Sequence, residues 1–184
     1  MAELRMRLRE ATAPLHERVD AAYSEFDLGR PEDYRRFLRA HARALRAVET
    51  ALEQAGIATL LMDWPARARR HALLDDLADL DCQAPVALPA PELSEIASCW
   101  GAAYVLEGSR LGGQVLARRV RQADPTAPVR YLEHGDVARL WPTFLSRLEQ
   151  QASASSWAPM LAAAEATFGL FASAAALEAE GAYG

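Results

Sequence analysis

The length, composition and charge of the chain exclude several classes of protein. Its 184 residues, 51% of them apolar, suffice for one domain with a substantial core, so we expect a single domain over residues 1–184. A net charge of −5 argues against nucleic acid as a partner, because nucleic-acid-binding domains normally carry a basic excess. The two cysteines lie far apart without partner histidines, which favours neither a disulfide framework nor a zinc site.

The sequence shows no N-terminal segment in which charged residues precede an apolar run, as they do in a signal peptide. No apolar run approaches the roughly 18 residues that a spanning helix needs. We therefore expect a cytoplasmic protein with no membrane contact.

Helical periodicity, interrupted by proline and glycine, predicts an all-α, single-domain helical bundle. Thr12 is expected to cap a new helical segment after a kink, with Pro14 in its first turn. Asp63 is expected to cap another segment, and the prolines of residues 83–91 predict an extended linker. The predicted helical segments are residues 3–11, a segment from Thr12 that carries His16 and Asp20, the residues between Pro31 and Gly56, and residues 63–81, 93–121, 137–151 and 157–180.

Residues 101–116, GAAYVLEGSRLGGQVL, have helical periodicity but contain glycines that a helix interior disfavours. Each interior glycine costs roughly 1 kcal/mol relative to alanine. Gly101, Gly108 and Gly112 have the spacing i, i+7 and i+11, which predicts a narrow strip without side chains along one face. Two interpretations fit the strip. One is a close crossing with another helix, and the other is a helix that bends across a large planar ligand.

Among the four histidines, His16 has the most informative surroundings. Asp20 follows one helical turn later, where its carboxylate can accept a hydrogen bond from Nδ1 and leave Nε2 free for a metal. The alternative for a lone helical histidine is a satisfied or exposed side chain. His41 lies on an apolar helix face and is expected to be a packed, hydrogen-bonded core residue, and we assign no role to His71 or His134.

Two other kinds of chemistry find no support in the sequence. A dinuclear metal site in a helical bundle needs Glu-x-x-His pairs on facing helices, and no histidine here has a glutamate three residues before it. A serine nucleophile of the G-x-S-x-G type is missing as well. We therefore expect the reactivity of the protein to come from a cofactor.

Two motifs resemble the haem oxygenase family, especially its bacterial branch. Residues 104–116, YVLEGSRLGGQVL, resemble the distal-helix signature, and residues 8–20, LREATAPLHERVD, resemble the proximal helix whose histidine ligates haem iron. Weaker similarities lie at residues 63–80 and around Trp141, Phe144 and Phe168. The resemblance implies that haem is both substrate and cofactor, held between a proximal and a kinked distal helix. It also implies that O2 and electrons cleave the haem to biliverdin, carbon monoxide and ferrous iron.

The resemblance also implies which residues contact the haem. His16 would be the axial iron ligand, supported by Asp20. Arg9 would pair with a haem propionate, because a guanidinium matches a carboxylate by bidentate geometry. Arg147 would pair with the other propionate, and Arg139 is an alternative. For these arginines the other possibility is a solvated surface side chain.

The remaining implied residues lie on the distal helix: Tyr104 and Gly113 as haem-binding residues, and Gly108, Ser109 and Gly112 as catalytic residues. Better-known family members carry an aspartate directly after the first distal glycine, where this chain has Ser109, although the EGSxLGG form resembles bacterial members. We expect the neighbouring Glu107 to offer a carboxylate close by.

The partners implied by the resemblance are a reductase or a ferredoxin-type electron donor and, downstream, a photoreceptor that uses biliverdin. An arginine stripe with helical spacing is either a solvated face or a docking surface for an acidic donor: Arg35, Arg39, Arg43 and Arg46. Two alternatives to a haem-degrading enzyme stay open. One is a haem-binding protein of the same fold that transfers or senses haem, and the other is a helical relative that acts on a different small molecule.

Overall fold

The chain is helical throughout the residues that the computed structural model describes, which are 3–151, 153 and 156–181. Their helices are α1 (Glu3–Ser24), α2 (Pro31–Gln54), α3 (Ile57–Leu60), α4 (Trp64–Arg67), α5 (Arg70–Asp79), α6 (Ile96–Gly108), α7 (Gly113–Ala123), α8 (Val137–Glu149) and α9 (Trp157–Glu180). A 3₁₀ turn, Ser109–Gly112, joins α6 to α7. No strand occurs in these ranges, and the predicted all-α fold class is confirmed.

One apolar core extends from Leu4 in α1 to Ala175 in α9 and takes buried side chains from each described helix. Its centre is α9, against which α1, α2 and α6 pack. Within the described ranges α9 is the one helix whose length and apolar composition match those of a membrane-spanning helix. The expectation that no segment is that apolar is wrong for α9. A helix surrounded by other helices also needs apolar residues on most of its faces.

The N-terminal helix α1 is continuous where a kink and a cap at Thr12 were expected. Thr12 is buried, and its hydroxyl donates a hydrogen bond to the Leu8 carbonyl at 2.7 Å within the same helix. Pro14 lies inside the helix, so one intrahelical hydrogen bond is missing there. Glu149 at the end of α8 accepts hydrogen bonds from the backbone N–H groups of Leu4 and Arg5 at 3.3 and 2.8 Å. The cap of α1 therefore comes from a distant helix.

The segment predicted as one helix over residues 63–81 is divided into α4 and α5. Asp63 makes no capping hydrogen bond at the start of α4 and instead binds the Arg67 guanidinium. The break is stabilised by Glu49 of α2, whose carboxylate accepts hydrogen bonds from the backbone N–H groups of Arg69 and Arg70 at 2.9 and 3.1 Å. These are the unsatisfied groups at the start of α5.

The linker after α5 has no helix over residues 83–91, and the arginine stripe of α2 binds it. Arg39, Arg43 and Arg46 donate hydrogen bonds to the carbonyls of Gln83, Val86 and Pro85 at 2.9, 3.3 and 2.8 Å. Arg35 binds the Leu80 carbonyl at 3.2 Å. The stripe therefore fastens the linker to α2, a role that neither interpretation from the sequence foresaw.

Candidate active site

His16 is an exposed side chain on α1 with one ring nitrogen engaged. Its Nδ1 lies 3.1 Å from the Asp20 Oδ2, and 62% of its side chain is accessible. The edge of its ring packs on Phe168 of α9, with ring centres 5.9 Å apart. This arrangement fixes the orientation of the imidazole and leaves Nε2 available for a metal ion, as the i, i+4 spacing predicts.

The distal motif lies where one helix ends and another begins. The predicted continuous helix over residues 93–121 starts at Ile96, ends as α6 at Gly108, passes through the 3₁₀ turn and continues as α7. A short 3₁₀ stretch inside a longer helix changes the direction of the chain and often marks a functional site. The break in the predicted helix is thus located at Ser109–Gly112.

The four glycines of residues 101–116 have two different kinds of surroundings. A Cβ at Gly101 would lie 2.0 Å from the Met160 carbonyl oxygen, and one at Gly113 would lie 2.1 Å from the Leu132 carbonyl oxygen. A Cβ at Gly108 would meet only the Trp141 ring at 3.7 Å, and one at Gly112 would meet nothing within 4 Å.

The close-crossing interpretation of the glycine strip is therefore right for Gly101, and the ligand interpretation stays a prediction for Gly108 and Gly112. Gly101 allows a close crossing of α6 with α9, whereas Gly108 and Gly112 leave open space. Gly113 is buried against backbone. This contact by itself explains why a glycine stands at position 113, and the assignment of Gly113 to haem binding stays a prediction.

A small apolar cluster connects the His16 side of α1 with the distal end of α6. Val105, Ala164 and Phe168 form its buried centre, and the partly buried Leu15, Val19 and Tyr104 pack around it. The Phe168 that contacts His16 thus also packs with Val105, three residues before Gly108. The proximal and distal motifs consequently border one region of the molecule.

Tyr104 lies at the edge of this region, between α1 and α8. Its ring centre is 6.1 Å from that of Trp141, the residue that faces Gly108. Burial raises the pKa of Tyr104, and the nearby cations of Arg5 and Arg9 and the Thr12 hydroxyl act in the opposite direction. Arg9 and Tyr104 are therefore close neighbours across the two helices.

The two arginines proposed for the haem propionates differ in their partners. Arg9 is exposed, and no carboxylate of the described residues lies within 4 Å of its guanidinium. Arg147 Nη1 lies 3.6 Å from Asp63 Oδ1, and Arg139 Nη1 lies 4.0 Å from Asp63 Oδ2. Hydrogen bonds from Arg67 are the main reason that the pKa of Asp63 lies below its usual range. Arg147 and Arg139 thus share an ionised carboxylate already bound by Arg67.

Glu107 is buried and unavailable as a free carboxylate next to Ser109. Its Oε2 accepts a hydrogen bond from Arg67 at 2.6 Å, and its Oε1 accepts one from Arg110 Nη2 at 3.0 Å. Only 1% of the residue is accessible. The expectation that Glu107 offers a carboxylate near the distal face is corrected, because two buried guanidiniums hold both of its oxygens.

The Ser109 hydroxyl is also engaged. It donates a hydrogen bond to the Leu106 carbonyl at 2.7 Å and accepts one from Arg69 Nη2. Arg69 donates to the Leu106 carbonyl as well, at 2.9 Å. Ser109 therefore stabilises the turn that ends α6. The aspartate at this position in better-known family members is expected instead to organise water.

Sequence reasoning missed that Arg67, Arg69 and Arg110 are buried beside the distal turn. Arginine is among the residues least often buried, so the segment DWPARARRH, residues 63–71, predicts a charged surface. The available signal is that Arg110 and Glu107 both lie inside the distal motif, three residues apart and on one helical face.

Comparison with known proteins shows similarity to haem oxygenases. The chain matches no protein-family model. It is 37% identical over 152 residues to a haem oxygenase of Xanthomonas campestris pv. campestris (strain 8004), an alignment that covers 80% of this chain and 92% of the relative.

Two solved structures share the fold. The NO- and CO-bound haem oxygenase of Neisseria meningitidis superposes with a TM-score of 0.84 at 21% identity, covering 95% of this chain and 91% of that one. The haem oxygenase of Leptospira interrogans gives a TM-score of 0.73 at 19% identity, covering 96% and 100%. With the close sequence relative, these findings show that the chain belongs to the haem oxygenase family and is a haem-degrading oxygenase.

Proposed function

We propose that the chain binds haem between His16 and the Ser109–Gly112 turn and cleaves it, with O2 and external electrons, to biliverdin, carbon monoxide and ferrous iron. The observation that carries this proposal is the His16 ring, exposed and oriented by Asp20 with Nε2 free, next to the apolar cluster that leads to Gly108. A neutral imidazole oriented by a carboxylate is a common iron ligand.

The surroundings of Gly112 fit a large, flat, apolar ring. A side chain there would meet no atom within 4 Å. Leu111 and Val115, on either side of Gly112, are 55% and 51% accessible, and Met6 on α1 is 56% accessible. Exposed apolar side chains such as Leu111 and Val115, next to open backbone in the chain, fit a ligand site. Arg9, exposed and without a carboxylate partner, is available for a propionate.

Each residue has a defined task in this proposal. Bound haem supplies both the iron and the ring that is oxidised. His16 holds the iron through Nε2, while Asp20 keeps Nδ1 hydrogen-bonded and the ring oriented. Gly108 and Gly112 keep side chains away from the distal face. Because the Ser109 hydroxyl and the Glu107 carboxylate are engaged, we propose that protons enter from solvent water at the open side of Gly112.

The electron donor in this proposal is a reductase or a ferredoxin-type protein with an acidic surface. The stripe arginines of α2 are bound to the linker, so we propose docking through two exposed arginines of α7 that have no carboxylate partner among the described residues, Arg118 and Arg119. Opposite charges on the two proteins would speed their encounter, and added salt would slow it. We also propose a cytoplasmic location and a biliverdin-using photoreceptor as one consumer of the product.

The first test is substitution of the proposed iron ligand. We expect His16→Ala to bind haem at least tenfold more weakly and to lose the absorption signature of an imidazole ligand, because one coordination bond is removed. Added imidazole should restore the signature. His71→Ala, an exposed histidine on α5, serves as the control and should keep the wild-type spectrum. An unchanged spectrum of His16→Ala without imidazole would show that another residue ligates the iron.

Turnover distinguishes the enzyme from a haem carrier of the same fold. The wild-type protein, loaded with haem and given a reductase, should form biliverdin, which absorption spectroscopy detects. Intact haem after repeated reduction in the presence of O2 would favour the carrier.

A further inference from the structure

Arg69 is a buried guanidinium that has no carboxylate partner. Only 4% of the residue is accessible, and in the part of the chain that the structure describes no carboxylate oxygen lies within 4 Å of its guanidinium. Glu49 binds the backbone N–H of Arg69 and leaves its side chain unpaired. Arg67 and Arg110, which are equally buried, share Glu107. Burial of an unpaired charge is costly, so the position of Arg69 calls for an explanation.

The groups that hold the Arg69 side chain are all neutral. Its Nη2 donates to the Leu106 carbonyl at 2.9 Å and to the Ser109 hydroxyl, and its guanidinium lies over the Tyr131 ring, 5.0 Å from the centre. An uncharged donor would make the same two hydrogen bonds. Stabilisation of the turn therefore accounts for the N–H groups of Arg69 but not for its charge.

The charge of Arg69 acts on its neighbours. Burial lowers the pKa of Arg110, and Arg69 lowers it further. The pKa of His134 is lowered by burial and by the cations of Arg110 and Arg69. The end of α6 and the start of α7 carry partial charges of opposite sign, about half a unit each, which offset one another at the turn. The charge of Arg69 also acts on the buried Glu49 carboxylate, whose pKa it lowers against the larger effect of burial. No carboxylate oxygen of the described residues lies within 4 Å of the Arg69 guanidinium beside Ser109.

We infer that Arg69 is a positioning residue that holds the Ser109–Gly112 turn and, through a charge that forms no ion pair with a described carboxylate, strengthens the binding of small anions on the distal face of the haem site. The inference rests on the haem site proposed above. Gly108 and Gly112 allow a ligand close to the turn, where low polarity weakens screening. Two unit charges about 10 Å apart, in a medium with an effective dielectric constant of about 20, interact strongly enough to change an affinity on the order of tenfold.

Two substitutions separate the charge of Arg69 from its hydrogen bonds. Arg69→Gln removes the charge and keeps an N–H donor on a shorter side chain, and Arg69→Lys keeps the charge. Each variant is loaded with ferric haem and titrated with azide, an anion, and with imidazole, a neutral ligand. We expect Arg69→Gln to bind azide about tenfold more weakly with imidazole affinity unchanged, and Arg69→Lys to stay within about threefold of wild type for both. Arg121→Gln, in an exposed pair with Glu133, is the control and should change neither affinity.

The outcomes are distinguishable from a failure of the haem site itself. A wild-type protein that binds no haem refutes the proposed site before any anion is added. If the wild type binds haem and Arg69→Gln loses azide and imidazole affinity equally, Arg69 only supports the turn and the inference is wrong. Unchanged azide affinity in a folded Arg69→Gln, checked by the thermal melting of its apoprotein, overturns it as well.

Discussion

Gly101 and Gly112 have different surroundings, packed helix backbone at one position and open space at the other. The Gly101 Cα lies against the Met160 carbonyl of α9, so this glycine sets the distance between two helices. Gly112 ends the 3₁₀ turn with ordinary helical backbone angles, φ −85° and ψ −15°, and has no neighbour that requires a glycine. Backbone geometry and packing leave the glycine at position 112 unexplained, whereas a ligand close to the backbone explains it.

Substitution of these two glycines should have opposite effects. Gly112→Leu should leave the apoprotein as stable as wild type or raise its free energy of unfolding by up to about 1 kcal/mol, because a glycine is removed from helical backbone. The leucine should lower haem affinity more than tenfold by filling the space. Gly101→Ala should lower the free energy of unfolding by about 1–3 kcal/mol, because its Cβ overlaps the Met160 carbonyl.

The measurements are thermal or urea unfolding of the apoproteins and haem titration by absorption. Wild-type haem affinity in Gly112→Leu would place the haem elsewhere. A Gly101→Ala protein as stable as wild type would show that α6 and α9 separate easily.

At the level of single residues, the sequence predicted the proximal side better than the distal side. The His16–Asp20 pair follows from helical spacing alone, because both partners lie on one helix, one turn apart. The hydrogen-bond partners of Ser109 and Glu107 could not be predicted in this way. Their partners, Arg69 and Arg67, are 40 residues away in the sequence, and no periodicity links them.

The arginine side chains of α2 connect three elements that are distant in sequence. Glu178 of α9 is buried and accepts hydrogen bonds from Arg39 and Arg43 at 2.8 and 2.6 Å. The same two arginines bind carbonyls of the linker. Glu178 therefore orients the side chains that hold the linker on α2.

Removal of this carboxylate should loosen the linker and lower stability. We expect Glu178→Ala to reduce the free energy of unfolding by roughly 2 kcal/mol, less than the 3–5 kcal/mol of a fully buried pair because the arginines keep some solvent contact. The control is Glu133→Ala, which breaks the exposed pair with Arg121 and should cost less than about 1 kcal/mol. Urea unfolding measures both. Equal losses in the two variants would mean that Glu178 acts only as a surface charge.

Helix boundaries were predictable where local signals decide them. Pro31 starts α2, Gly56 follows its end, and α9 spans the predicted residues 157–180. The prediction was wrong where a distant side chain decides. Thr12 lies inside a continuous α1, whose start Glu149 satisfies. Asp63, at the start of α4, binds Arg67, and Glu49 satisfies the start of α5.

Across the whole molecule, buried carboxylates join segments that are far apart in the sequence. Asp76 of α5 accepts hydrogen bonds from the backbone N–H groups of Arg130 and Tyr131 at 3.2 and 2.9 Å, which fixes the loop before α8. Such pairings depend on the finished fold. The family resemblance predicted the fold class correctly, but it carried no information about which charges the fold would bury.

His41 of α2 lies between these segments, in a cage of aromatic rings. The ring centres of Tyr23 and Phe37 are each 4.5 Å from its own, and Tyr131 and Phe171 complete the cage at 5.2 and 5.7 Å. Its Nδ1 shares a hydrogen bond of 2.7 Å with the Tyr131 hydroxyl, as expected for a packed core histidine. A small part of the residue is accessible, although aromatic rings surround its imidazole.

Enclosure of the ring, aided by the charge of Arg69, lowers the pKa of His41 from its ordinary 6.5 to about 3. His41 is therefore neutral in the folded protein, while the unfolded chain takes up a proton below pH 6.5. Stability should consequently fall as the pH drops from about 6.5 towards 3, with His41 contributing roughly 2 kcal/mol of loss by pH 5. His41→Asn cannot take up this proton, so its free energy of unfolding, although lower at pH 7.5 because packing is lost, should fall less steeply between pH 7 and 5. Substitution of the exposed His71 by glutamine should leave the wild-type slope. Equal slopes in wild type and His41→Asn would show that the His41 ring is open to solvent and takes up a proton in the folded state.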